Sequence, residues 1–152
     1  LLERGAKRVI AVDVGRDQLA PALKSDPRVL SLEATDARTL TLEDIDGQSP
    51  ELLVCDASFI SLEKVLARPL ELLVEGGEMV ALFKPQFEVG PKFVGKGGLV
   101  KDDDAVERAK ENARAFFARA SVPVDRETGS PIRGGDGNCE YLFYGRKADM
   151  DQ

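Results

Sequence analysis

The sequence predicts an α/β protein built on a doubly wound sheet, and three observations carry that expectation. Short apolar runs that end in a charge, RVIAVD (8–13), ELLVCD (51–56) and GEMVALFK (77–84), have the unbroken hydrophobicity of strands covered on both faces. Segments with helical spacing alternate with them, as in βαβ architectures. Two last candidate strands, 122–128 and 139–146, are joined by the Gly-rich GSPIRGGDGN and read as an antiparallel hairpin at one edge of the sheet.

The elements follow in order. Leu1, Leu2 and Glu3 ahead of Gly5 read as the last turn of a helix closed by a C-cap glycine, and the chain reads as a fragment whose beginning lies upstream. RVLSLE (28–33) is a second, shorter strand. Leu62, Val65, Leu66, Leu70 and Leu73 keep helical spacing, and Pro69 is expected to kink or divide that helix. Residues 102–120 give the clearest helix: Asp102 to Asp104 suit its positive N-terminal end. Val106, Ala109, Ala113, Phe116, Phe117 and Ala120 line one face.

Composition narrows the functional classes. The 152 residues suffice for about one domain, and 43% hydrophobic with 32% charged residues fits a soluble globular chain. No apolar run approaches the roughly 20 residues of a membrane span, and no secretory leader pattern appears, so a cytoplasmic protein is expected. Two cysteines, Cys55 and Cys139, have no metal-ligand spacing and read as ordinary packing residues. The absence of histidine removes the commonest metal ligand and general base. No metal is expected, and catalysis falls to Lys, Asp, Glu or backbone. A net charge of −6 argues against gripping nucleic acid over the whole surface but leaves room for a local basic patch.

In open α/β sheets ligands sit outside the carboxyl ends of the strands, which singles out Asp13, Asp56 and Lys84. Asp13 reads either as an acceptor for ribose hydroxyls or as a turn or cap residue, and Asp56 either as a catalytic or as a capping acid. A lysine ending a buried strand must reach water or a partner, and Pro85 holds Lys84 extended. Glu140 enters near the start of the last strand, where an edge-strand charge is the plainer reading. The loop from Lys84 to Lys101 carries Lys92, Lys96 and Lys101 with Phe87 and Phe93 interspersed. It suits either an RNA backbone and a stacked base or a charged lid.

Five ordered stretches, LLERGAKRVIAVDVG, VCDASFISL, LFKPQFEVG, GKGGLV and GNCEYLF, resemble the methyltransferase domain of the haemolysin A (TlyA) family, itself similar to FtsJ-type RNA ribose 2′-O-methyltransferases. The resemblance runs from Leu1 to about Lys147 and leaves 148–152 as a tail. It implies a Rossmann-like sheet binding S-adenosyl-L-methionine, mostly parallel with the C-terminal hairpin antiparallel. It also implies a Lys, Asp, Lys, Glu catalytic tetrad, of which Asp56, Lys84 and Glu140 are present. The first lysine, the first strand with its glycine-rich cofactor turn, and an RNA-binding S4 domain would precede Leu1. The resemblance further implies Asp13 with Val14 and Asp36 with Ala37 as cofactor contacts, Asp36 at the adenine-recognition position, although a loop acid is also an ordinary turn residue. RNA, ribosomal RNA or ribosomal subunits first, is the implied partner.

A histidine-free site fits a lysine base taking the proton of a ribose 2′-hydroxyl, with acids on either side to orient it. Three other readings stand beside this one. A dehydrogenase would use Asp13 for the ribose of NAD but leaves Asp56, Lys84 and Glu140 unexplained. A membrane-active cytolysin lacks a spanning segment. A non-catalytic RNA-binding module has no need of the lysine and acids.

Overall fold

The computed structural model describes residues 1–149; the remainder of the expected tail, 150–152, lies outside them. The chain divides into two compact units, Leu1–Ser49 and Pro50–Gln152.

The first unit opens with a 3₁₀ turn, Leu2–Arg4, closed by Gly5 at φ 97°, the left-handed cap its sequence announces. Strands β1 (Val9–Val12) and β2 (Val29–Leu32) pair in parallel, Val9 opposite Val29 and Val12 opposite Leu32. Between them lies α1 (Pro21–Lys24), a single turn with proline at its start that hydrophobic periodicity is too short to reveal. Beyond the strand ends the pairing continues, with Asp13 N–H donating to Leu32 O at 3.1 Å and Thr35 N–H to Asp13 O at 2.9 Å.

The second unit holds β3 (Leu52–Cys55), α2 (Leu62–Leu72), β4 (Glu78–Phe83), α3 (Asp103–Arg119), β5 (Val124–Gly129) and β6 (Tyr141–Arg146). Its sheet has the order β3-β4-β6-β5: β3 and β4 are parallel, while β6 runs antiparallel to both β4 and β5. The expected hairpin therefore exists, with β5 at the edge and β6 inside the sheet. Among the described residues the strand pairing is evenly mixed rather than mostly parallel, because inserting β6 beside β4 creates a second antiparallel ladder.

One face of this sheet is fully covered. Met79, Ala81 and Phe83 alternate along β4 and are buried against Leu62, Leu66 and Leu70 of α2, Ala109, Phe116 and Phe117 of α3, and Phe143 of β6. Phe83 and Phe143 stack at 5.2 Å between ring centroids, with Phe117 edge-on at 6.4 Å. Leu52 and Val54, which pair with Glu78 and Val80 on the other face, are exposed. Burial on both faces, as the apolar runs suggest, holds for one face only, since α2 and α3 share a single core.

Helix α2 is not divided: Pro69 sits within its last turns and the helix runs on to Leu72. There the missing N–H costs one bond, while Leu66, Leu70 and Leu72 keep the apolar face buried. Helix α3 starts as expected, Asp102 accepting from Ala105 N–H at 3.0 Å. Lys110 departs from the pattern. It is buried on α3, its ammonium 3.5 Å above the Tyr141 ring and 3.4 Å from the carboxylates of Glu107 and Glu127. This contact seats α3 over the start of β6, next to Glu140.

Candidate active site

Strand register assembles the site. β3 and β4 are parallel, Cys55 lying opposite Ala81 with β4 running on to Phe83, so Asp56 and Lys84 leave the sheet at the same edge. β6 runs antiparallel to β4 with Tyr141 opposite Phe83, so the next residues along that ladder, Lys84 and Glu140, adjoin. Pro85 opens a 3₁₀ turn over Pro85–Phe87 and holds Lys84 extended at φ −112°, ψ 106°.

The lysine ammonium lies 2.6 Å from Asp56 Oδ1 and donates to Ser58 Oγ at 3.1 Å. Its side chain is 12% exposed, whereas that of Asp56 is 72% exposed. A cation held under the surface is thus paired with a carboxylate reaching it from solvent. Glu140 is 8% exposed, and its Oε2 accepts from Gln86 Nε2 at 3.3 Å. Asp56, Ser58, Lys84, Gln86 and Glu140 line one open cleft of about 440 Å³. Gln86 Oε1 is buried there without a hydrogen-bond partner among the described residues. Gly134 packs over Glu140: a Cβ at this glycine would lie 2.6 Å from Glu140 Oε2. The edge-strand reading of Glu140 does not apply, since β6 is an inner strand.

Sequence reasoning missed Ser58 and Gln86, and it missed Phe59. Phe59 is 89% exposed, holds a left-handed φ of 65°, and its ring lies 5.1 Å from that of Phe87. An aromatic side chain in a polar loop directly after a strand-terminal acid was the available signal.

The other candidates are placed as follows. Asp13 follows β1, exposed, with Oδ1 accepting from Gly15 N–H at 2.9 Å, and Val14 beside it is exposed. Asp36 caps the 3₁₀ turn that begins at Ala37, accepting from Arg38 N–H at 2.9 Å; the Arg38 guanidinium holds its carboxyl below the usual range. Lys92, Lys96 and Lys101 are exposed along a run of 3₁₀ turns after β4. Phe93 is flanked by Lys92 and Arg108, both within 5.6 Å of its ring centre. Burial pushes the Cys55 thiol up to about 11, which leaves it an inert packing residue, and Cys139 is exposed. No cluster of potential metal ligands and no helix long and apolar enough to cross a membrane occurs among the described residues.

A sheet with an antiparallel inner strand, carrying the Lys84–Asp56 pair at its edge with Glu140 in the same cleft, accords with the methyltransferase class, to which comparison with known proteins assigns the fold. The N-methyltransferase NodS of Bradyrhizobium japonicum in complex with S-adenosyl-L-homocysteine shares the fold, with TM-score 0.61 at 13% identity over 94% of this chain and 68% of that one. Residues 1–147 match the FtsJ-like methyltransferase model, and the chain belongs to that family. It is 44% identical to the 16S/23S rRNA (cytidine-2′-O)-methyltransferase TlyA of Mycobacterium tuberculosis over 147 residues, 95% of this chain and 53% of that protein. A "putative hemolysin" from Streptococcus thermophilus superposes with TM-score 0.92 at 40% identity over 97% of this chain and 54% of that one. The chain spans about half the length of the relatives it matches.

Proposed function

We infer that this chain is the catalytic part of an S-adenosyl-L-methionine-dependent RNA ribose 2′-O-methyltransferase, acting in the cytoplasm on ribosomal RNA. The observation that carries this reading is the contact of Lys84 with Asp56 and Ser58 in a cleft that also holds Glu140. The relative named as a cytidine-2′-O-methyltransferase supports the choice of acceptor.

A ribose hydroxyl is a weak nucleophile at neutral pH and needs a positioned base. Lys84 fills that role in its neutral form, reached when the ammonium releases its proton to solvent through the open cleft; Pro85 fixes its direction, and Asp56 receives the ammonium re-formed when the hydroxyl proton moves to Nζ. Glu140, held by Gln86, lies on the other side and orients the acceptor. The Phe59 and Phe87 rings offer a stacking surface for the base of the acceptor nucleotide, and Lys92, Lys96 and Lys101 offer phosphate contacts.

The residues past β1 and β2 fit the nucleoside end of the cofactor. Asp13 and the segment leading to Asp36 are bridged by the Thr35–Asp13 backbone bond, so two acids stand beyond neighbouring parallel strands. Asp13 with Val14 would hold the ribose diol, and Asp36 with Ala37 the adenine, since a carboxylate has acceptor sites left after one arginine. When bound, S-adenosyl-L-methionine supplies the electrophilic methyl group.

The test is transfer of labelled methyl to ribosomal RNA by the intact protein, followed by alkaline hydrolysis. A ribose 2′-O-methyl blocks cleavage at its own linkage, so label in an alkali-stable dinucleotide is expected. Label on a base, or none, would overturn the reading.

A further inference from the structure

Two of the loops that build the cleft, those after β3 and β4, touch at three places. At one end Lys84 meets Asp56 and Ser58. In the middle the Phe59 and Phe87 rings pack together. At the far end Glu88 Oε1 accepts from Leu62 N–H at 2.8 Å, the first amide of α2. We propose that Glu88 is a positioning residue, latching the loop after β4 to the start of α2 so that Asp56 and Ser58 stay against Lys84.

A helix start offers four N–H groups without intrahelical partners, and water or a local side chain can serve them. Ser61 already does so for Lys64 N–H at 3.4 Å. Glu88 is different because its reach is long-range, from a position four residues beyond Lys84 to one six residues beyond Asp56. Each loop is thereby fixed at both ends: by its strand, and by the Glu88–Leu62 bond.

The carboxyl is placed at a cost. Burial pushes it up to about 7, and the Glu63 charge on α2 adds to this, while the Leu62 N–H opposes it. From α3, Arg108 lines the same small cavity as Glu88, and from β3 Cys55 faces it as a neutral thiol. A carboxyl kept where ionisation is unfavourable, at the back of both loops, is what a latch requires and a solvent-facing cap does not.

The catalytic consequence rests on the methyltransferase reading; the latch itself does not. The test uses the intact protein with Glu88→Gln, whose amide oxygen still accepts the Leu62 N–H, and Glu88→Met, which fills the space but accepts poorly. Amide hydrogen exchange over residues 57–62 reads the latch, and single-turnover methyl transfer with cofactor titration reads its effect. In Glu88→Met, exchange should accelerate about tenfold and the transfer rate fall about tenfold with cofactor affinity unchanged, whereas Glu88→Gln should stay within about threefold of wild type in both. Unchanged exchange in Glu88→Met, or faster exchange with an unchanged transfer rate, overturns the proposal. So does a Glu88→Gln protein as impaired as Glu88→Met. Should Glu88→Met fail to fold, Glu88→Gln decides alone, a loss beyond about threefold counting against the latch. If the wild-type protein transfers no methyl to RNA, the functional reading fails and the exchange data still decide the latch.

Discussion

The acids beyond β1 and β2 and the charged groups beyond β3 and β4 are held in opposite ways. Asp13 is bonded two residues away to Gly15, and Asp36 two residues away to Arg38. Lys84 and Ser58, by contrast, are separated by 26 residues, and Gln86 and Glu140 by 54. Local geometry of the first kind arises wherever the sequence permits it. Asp26 and Arg28 repeat three of the four Asp36–Arg38 hydrogen bonds in an ordinary turn, and there the arginine holds the carboxyl down at about 2. A largely covered lysine brought against a segment 26 residues away has no such local cause. The difference teaches that a constellation assembled over long sequence separations says more about function than an acid satisfied by its neighbours.

The comparison predicts that the two groups fail differently. Asp56→Asn and Glu140→Gln should each lower single-turnover methyl transfer about a hundredfold while leaving cofactor affinity near wild type. Equal losses in cofactor binding would merge the two regions into one function.

Next in size, Asp13→Ala should weaken cofactor binding by about tenfold, the worth of a charged hydrogen bond to a ribose hydroxyl. Because Arg38 already engages its carboxylate, Asp36→Ala should cost only about threefold by calorimetry. A larger effect at Asp36 than at Asp13 would show that the Arg38 pairing yields to adenine.

Smaller again is the effect of crowding Glu140 from above. Gly134→Ala puts a methyl 2.6 Å from Glu140 Oε2 and 2.9 Å from Asp136 Oδ1, and these carboxylates are flexible enough to move aside. The fold should persist by circular dichroism while the transfer rate drops about fivefold, a displacement effect. Unaltered turnover would separate Glu140 from the reaction.

The smallest change in activity is expected from Glu88→Gln, which alters stability instead. Glu88 is raised from 4.5 in the unfolded chain to about 7 in the folded protein. The folded state therefore keeps the proton longer. Its contribution is most favourable below pH 4.5, declines as pH rises from 4.5 to 7, and is level above that. The total decline is on the order of 3 kcal/mol at most. Glu88→Gln should remove this slope from denaturant midpoints measured across that window.

The sheet and α3 were legible in the sequence because their signals are local. Apolar runs of four to six residues mark β1 to β4, and acids ahead of Val106, Ala109 and Ala113 mark α3. Asp56, Lys84 and Glu140 were legible singly, as charges at strand ends, and collectively through family resemblance. Four features were not. The position of β6 between β4 and β5 is a matter of pairing, which the hairpin loop does not determine. Lys110 sits on a face otherwise built of Ala, Val and Phe, where its aliphatic stem packs and the Tyr141 ring receives the charge. Phe59 and Glu88 matter through partners that only folding brings near, Phe87 and Leu62 respectively.

The central claim is that Lys84 is the base. Its most direct test is the single-turnover methyl-transfer rate of Lys84→Ala and Lys84→Arg in the intact protein on ribosomal RNA, beside cofactor titrations of each. Both variants should lose at least about a hundredfold in rate, the arginine because its guanidinium stays protonated, with cofactor affinity unchanged. Near-wild-type turnover by Lys84→Ala would contradict the account and leave the Lys84–Asp56 pair a structural feature of the sheet edge.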